Sequence, residues 1–151
     1  MSESASRLLR ENYAPAAKFL IAPLVDFLCV GRRWFDGDLD RLLILMVVAL
    51  RTAEAPKVEG LRLEDVLAGE VETYPSLLTN VRSIAESTGI PRETVRRKVR
   101  WLVAKGWLAR SGDDISLTTL ASRELTPVRE AMLATAERLH GLVERVRSRT
   151  L

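Results

Sequence analysis

Residues 84–108 read IAESTGIPRETVRRKVRWLVAKGWL, and the reading of this stretch decides the fold. Between Pro91 and Lys105 six of fifteen residues are basic and only Glu93 is acidic, a local charge of +5 in a chain whose net charge is +3. Yet Val95, Val99, Leu102 and Val103 recur at helical spacing, i, i+4, i+7 and i+8. Such a helix packs one face on a neighbour and leaves a dense positive face outside. Gly89 sits before it, where a left-handed turn costs a glycine nothing. Pro91 suits the first helical turn, because its missing N–H would have had no partner there, and Gly106 closes the helix. Upstream, Asn80 is placed to cap a short helix over 81–87 whose inner face carries Val81, Ile84 and Ala85. Helix, short glycine turn, helix is the expected arrangement.

Working outward, 107–110 and 115–117 are β-compatible runs flanking Ser111-Gly112-Asp113-Asp114, so a hairpin follows the basic helix directly. From Thr118 or Thr119 the chain reads as helical, with a break near Thr126-Pro127. Val128, Met132, Ala136, Leu139, Leu142 or Val143, and Val146 form an apolar stripe about five turns long. That stripe packs either on its own domain or on a second subunit. On the N-terminal side, residues 1–12 read as a weakly helical start. The run from Ala16 to about Trp34 is mostly apolar, with Pro23 as a kink or boundary. Asp38 is the N-cap of a helix to about Ala53, apolar on every side from Leu42 to Leu50, which belongs in a core or a subunit interface. This N-terminal half reads foremost as a helical scaffold; an effector pocket or dimer surface is the functional alternative. Residues 54–76, with Pro56, Gly60, Gly69 and Pro75, read as a connector with a short helix at 63–68.

Composition bounds the function classes. At 151 residues, 47% hydrophobic and 28% charged, the chain is expected to be one folded soluble domain with a helical appendage. The sequence pI near 9.4 is a mild basic bias, and its concentration on one helix is the sharper signal. One cysteine, Cys29, and one histidine, His140, give no disulfide and no zinc set; Cys29, in an apolar run without a base nearby, reads as a buried thiol, and His140 as a surface or interface residue. The polar N-terminus shows no signal peptide, and the longest uninterrupted apolar run, 42–50, is half a membrane span, Pro23 and Asp26 interrupting the run 19–30. No membrane partner and a cytoplasmic, nucleoid-associated location are expected. Asp36, Asp38 and Asp40 alternate as in a calcium loop but lack the downstream glutamate, so helix capping is the better reading. Glu64, Asp65, Glu70 and Glu72 read as surface acids. Trp101 and Trp107 bracket the end of the basic helix and are expected to anchor helix and hairpin to the core. No nucleophile–base set and no phosphate-binding glycine loop point to an enzyme, and no cofactor is expected.

On the basic helix, Arg92, Glu93, Arg96, Arg97 and Arg100 fall on the exposed side. Residues next to the turn of such a pair enter the DNA major groove most deeply. An arginine fork can hold guanine O6 and N7 together, and a carboxylate can accept from a cytosine amino group. Arg82, Arg96, Lys98 and Arg100 are better placed for phosphates, with Thr94 and Arg110 completing the expected phosphate set.

The stretch 84–108 resembles the winged helix-turn-helix of bacterial transcription regulators, most closely the DNA-binding domain of the cyclic-AMP receptor protein/FNR superfamily. That family's Arg-Glu-Thr-Val-x-Arg opening is matched by Arg92-Glu93-Thr94-Val95-Arg96-Arg97. The resemblance implies base reading by Arg92, Glu93 and Arg97 and covers about 81–118. The helical N-terminal half departs from the family's β-roll, which argues against a cyclic-nucleotide effector, and Asp113 and Asp114 make the wing tip acidic. The layout of long helices around a winged domain, with Leu117-Thr118-Thr119 after the wing, is similar instead to the MarR regulators, homodimers joined through their terminal helices.

The expectation is therefore a mainly α chain with a two-stranded β wing: an N-terminal helical region over 1–56, a winged helix-turn-helix over 57–118 and a C-terminal helix over 119–151. Its expected function is sequence-specific binding of double-stranded DNA to regulate transcription, as a homodimer and with any small-molecule effector unidentified. A winged-helix protein-interaction module and an unspecific nucleoid-type binder are the alternatives.

Overall fold

The computed structural model describes residues 4–56, 58, 60–69, 74 and 77–148; Glu70, Glu72 and Pro75 lie outside them. The architecture is mainly helical with one small antiparallel sheet. In chain order the elements are α1 (Ala5–Glu11), α2 (Tyr13–Trp34), α3 (Leu39–Ala53), α4 (Leu63–Ala68), α5 (Val81–Thr88), α6 (Arg92–Ala104), β1 (Leu108–Ser111), β2 (Asp114–Leu117), α7 (Thr119–Glu124) and α8 (Thr126–Arg147). Two compact units result, one formed by 35–126 and the other by 1–34 with 127–151. This differs from the three-part division expected from sequence, because α3 belongs with the glycine-turned helix pair rather than with the N-terminal helices.

In the unit 35–126, α3 packs against α5, α6 and β2, and α5 packs against α6. Asp38 caps α3 by accepting from the Asp40 N–H at 3.1 Å. Leu42, Ile44, Leu45 and Val48 turn inward to meet Ile84 and Ala85 of α5, Val95, Val99 and Leu102 of α6, and Leu108 and Ile115 of the hairpin in one buried core. Each buried valine, leucine or isoleucine among them contributes about 1.5–3 kcal/mol by leaving water. Of the two settings expected for α3, a core or a subunit interface, the inward face meets the first, while Leu39, Leu43, Met46 and Leu50, spaced 4, 3 and 4 apart, form a second stripe 37–57% exposed within the chain. Among the described residues of this unit, α5, α6 and β2 are the elements packed on α3, and they cover its inward face.

Phe35, fully buried, anchors an aromatic cluster with Trp101 (centroids 6.5 Å apart) and Trp107 (5.3 Å), the two tryptophans meeting edge-on at 5.8 Å. The Trp107 indole N–H donates to Glu124 at 2.7 Å, tying the start of the hairpin to the end of α7. Thr118 caps α7 by accepting from Ala121 N–H and donates to the Gly106 carbonyl at 2.6 Å. Its backbone N–H reaches the Trp107 carbonyl. The end of α6, the hairpin and α7 thus share one small set of hydrogen bonds.

The unit 1–34/127–151 is thinner. Its buried cluster is Ala16 with Leu142 and Val146, flanked by half-buried Leu8, Leu9, Phe19 and Leu20. Thr135 donates its hydroxyl to the Pro23 carbonyl, and Arg138 pairs with Asp26 at 2.6 Å. Ala16 against Val146 and Pro23 against Thr135 set α2 and α8 antiparallel. Pro23 does not end α2: the helix runs 22 residues through it, with the proline ring buried. Continuity also makes α2 long and apolar enough, by length and composition, to cross a membrane, a length the sequence reading underestimates by letting Pro23 and Asp26 interrupt it. Ile21, Leu24, Val25 and Leu28 form a half-exposed ridge along α2, and Met132 and Leu133 are similarly uncovered on α8. Of the apolar stripe read on α8, Val128, Leu142 and Val146 are buried within the chain, whereas Met132 and Ala136 are exposed in it. Cys29 is exposed, not buried, because it lies on the uncovered side of α2.

A basic helix beside a glycine turn as the candidate functional site

Asn80 and Ser83 cap α5 reciprocally, the Ser83 N–H donating to Asn80 Oδ1 at 2.9 Å and the Asn80 N–H to Ser83 Oγ at 3.0 Å. Gly89 then adopts φ +73°, a left-handed conformation that a side chain would strain. Its N–H caps α5 on the Ala85 carbonyl, and Ile90 plugs the turn into the core. α6 leaves this turn with Val95, Val99 and Leu102 buried, so its register is fixed and the opposite face is committed to solvent.

On that outer face the arginines are not equivalent. Arg92, Glu93, Arg96, Arg97 and Arg100 are all exposed. Arg96 is held by Glu93 one turn before it. Arg82 on α5 donates to Glu86 at 2.8 Å, and Arg92 lies 3.8 Å from the same carboxylate oxygen. The hydrogen bond and charge of Arg82 hold Glu86 below the ordinary glutamate range against the opposing effect of desolvation, with the charge of Arg92 adding the smallest contribution. The same hydrogen bond and charge raise Arg82. Arg97 and Arg100 have no ion-pair or hydrogen-bond partner among the described residues. They are the two side chains of α6 with nothing to surrender when an anion approaches. Thr94 is half-buried at the inner edge of the face.

Lys98 does not belong to this face. Its side chain is 11% exposed, and its ammonium turns inward to Asp38, with Asp40 at 3.3 Å. Burial raises Asp38, but the Lys98 hydrogen bond and charge, aided by Arg41, outweigh it and leave the carboxyl lowered. Arg41 lies 3.3 Å from Asp38 and places its guanidinium 4.0 Å from the Trp101 ring centre. Asp38 therefore caps α3, Asp38 and Asp40 clamp it to α6 through Lys98, and Asp36 lies 3.7 Å from Arg41 of α3 itself. Lys98 is a structural bridge in this arrangement, in place of the expected phosphate contact.

The hairpin joins Leu108 to Leu117 and Ser111 to Asp114 in antiparallel register. Asp114 is partly buried and accepts from the Thr79 N–H at 3.1 Å, while the Ile115 N–H donates to the Thr79 carbonyl at 2.7 Å. The residue leading into α5 is thus stitched to β2. Asp113 at the tip is 97% exposed, and Arg110 folds back on it at 3.5 Å and on the Gly112 carbonyl at 2.9 Å. Arg110 is consequently neutralised locally, and the tip carries no free cation.

Among the described residues no group of three or more His, Cys, Asp or Glu side chains is placed to hold a metal ion. An open groove of about 460 Å³ in the other unit is lined by Phe19, Glu137, Arg138, Gly141 and Arg145, with Arg145 stacked 4.6 Å over the Phe19 ring. No protein-family model, curated protein or solved structure matches the chain.

Proposed function

We propose that this chain is a winged helix-turn-helix regulator that binds double-stranded DNA sequence-specifically as a homodimer. The observation that carries the reading is the outer face of α6: exposed arginines on a helix locked from behind, entered through a left-handed glycine and followed by a stitched hairpin. Rigid positioning of the first turn suits base reading, since recognition helices present those residues to the groove floor. Arg92, Glu93 and Arg97 are the base-reading set. Arg82, Arg96 and Arg100 take phosphates, an attraction independent of sequence and sensitive to salt. The uncovered ridges on α2, α3 and α8 support self-association, and a two-fold dimer calls for half-sites about 34–36 Å apart or a multiple of that.

Enrichment of fragmented genomic DNA at two salt concentrations, wild type beside Arg92→Ala/Arg97→Ala, tests the reading. Recovery of a two-fold motif by wild type, lost in the double variant while salt-sensitive background binding persists, is the expected result. Equal recovery of an unselective pool by both proteins, or none by either, sinks it and directs the search to protein partners.

A further inference from the structure

Glu86 is an acidic residue where a DNA-binding surface would be expected to avoid one. It is exposed at the end of α5, and one of its carboxylate oxygens serves two arginines on two helices, Arg82 at 2.8 Å and Arg92 at 3.8 Å. Exposed pairs of this kind add little to folding stability, because water screens them and the side chains lose freedom. Their effect on a polyanion is different in kind. An arginine already neutralised by an internal carboxylate releases fewer counterions from DNA than a free one. Arg82 is therefore partly withheld from phosphate, whereas Arg97 and Arg100 are not. Arg92, meanwhile, is the first residue of α6, with its long, flexible side chain 61% exposed; among the described residues its ion pair is with the carboxylate across the turn, at 3.8 Å. A base-reading fork held in advance loses less freedom on binding.

We propose that Glu86 is a specificity-determining residue of the DNA-binding face, screening Arg82 from unselective phosphate contact and aiming Arg92 at its base pair. The proposal rests on the DNA-binding reading above and assigns a role to a residue outside the basic helix. Acting through Arg82 and Arg92, Glu86 is a positioning residue and has no contact of its own with DNA.

The test uses full-length chain and three duplexes: the enriched site, that site with the one base pair changed at which Arg92→Ala loses preference, and a random sequence. Glu86→Gln, exposed and isosteric, should melt with wild type. It should bind the random duplex several-fold tighter at low salt, with a log–log salt slope steeper by up to about 0.9, the increment for one more neutralised phosphate. Its discrimination between the first two duplexes should fall toward that of Arg92→Ala. In Glu86→Gln/Arg92→Ala the gain on random DNA should persist, through Arg82, while discrimination falls no further than in Arg92→Ala alone. A Glu86→Gln protein with wild-type affinity for random DNA, or with undiminished discrimination, overturns the assignment while leaving the regulator reading intact. Wild type that selects no site overturns both.

Discussion

The unit 35–126 completes its own core, with Phe35, Ile44, Val48, Ile84, Val95, Val99, Leu102, Leu108 and Ile115 sealed from water. The buried cluster of 1–34/127–151 comes down to Ala16, Leu142 and Val146, and the apolar ridge of α2 stays half in solvent. The long N-terminal helices of the two units, α2 and α3, are of comparable apolarity. What separates them is the number of directions from which a helix is covered. α3 meets two helices and a strand, whereas α2 has α1 and α8 for neighbours within its unit. The uncovered ridge is the surface on which the proposed dimer would form.

The contrast can be broken most forcefully at Phe35. Phe35→Ala should cost the unit 35–126 about 3–5 kcal/mol, read as a lower denaturant midpoint in tryptophan fluorescence, because it empties the centre of the aromatic cluster. The complementary change is Leu24→Glu/Leu28→Glu on the exposed ridge. It should leave that fluorescence midpoint in place and weaken self-association about 100-fold or more, roughly 2.7 kcal/mol, seen as monomer in sedimentation at micromolar concentration. An unchanged sedimentation coefficient would remove α2 from the interface.

Smaller effects sharpen the comparison inside the better-packed unit. Lys98→Met keeps the stem and deletes the charge facing Asp38 and Asp40, and should cost about 1–2 kcal/mol, part of the full penalty for a stranded charge because Asp38 keeps contact with water. The pH dependence has a definite sign. Asp38 is lowered in the folded chain, so its contribution is complete above the ordinary aspartate range and disappears as pH falls through the folded value. Wild type should therefore lose more stability than Lys98→Met between pH 6 and roughly pH 3, the window set by the ordinary carboxylate pKa, in parallel urea titrations. The smallest change is Trp107→Phe, which retains a ring but removes the indole hydrogen bond to the water-exposed Glu124, worth about 1 kcal/mol or less in the same titrations.

Much of the better-packed unit was legible because its signals are local. Asn80, Gly89, Pro91 and Gly106 mark the ends of α5 and α6, and the structure places those ends within a residue of the expected positions. The short α4 falls at 63–68 as read, and the hairpin shifts by one residue. What escaped the sequence was relational. Lys98 interrupts the apolar side of α6, and Asp36, Asp38 and Asp40 alternate sixty residues earlier, but nothing local joins the two. The clamp exists because α3 lies against α6. Asp114 looked like an acidic wing tip until Thr79 was found donating to it. Cys29 reads as buried for the same reason and is exposed, since an apolar run reports hydrophobicity while burial needs a partner on the correct side. At the candidate site, the row of arginines was plain, but their division into paired and free ones depends on Glu86 and Glu93 side-chain placement.

The aromatic cluster gives the protein a built-in optical reporter. Trp101 belongs to the basic helix and Trp107 to the residue leading into the hairpin, and their rings cross at 76° with centres 5.8 Å apart. Two indoles this close and this steeply inclined couple their electronic transitions, and the resulting circular dichroism depends on the angle between them. Lys105 and Arg41 lie over the Trp101 ring, so a change in local field also shifts its emission colour. A tilt of the helix against the hairpin therefore writes itself into the ultraviolet spectrum of the unlabelled chain, in real time and without a dye.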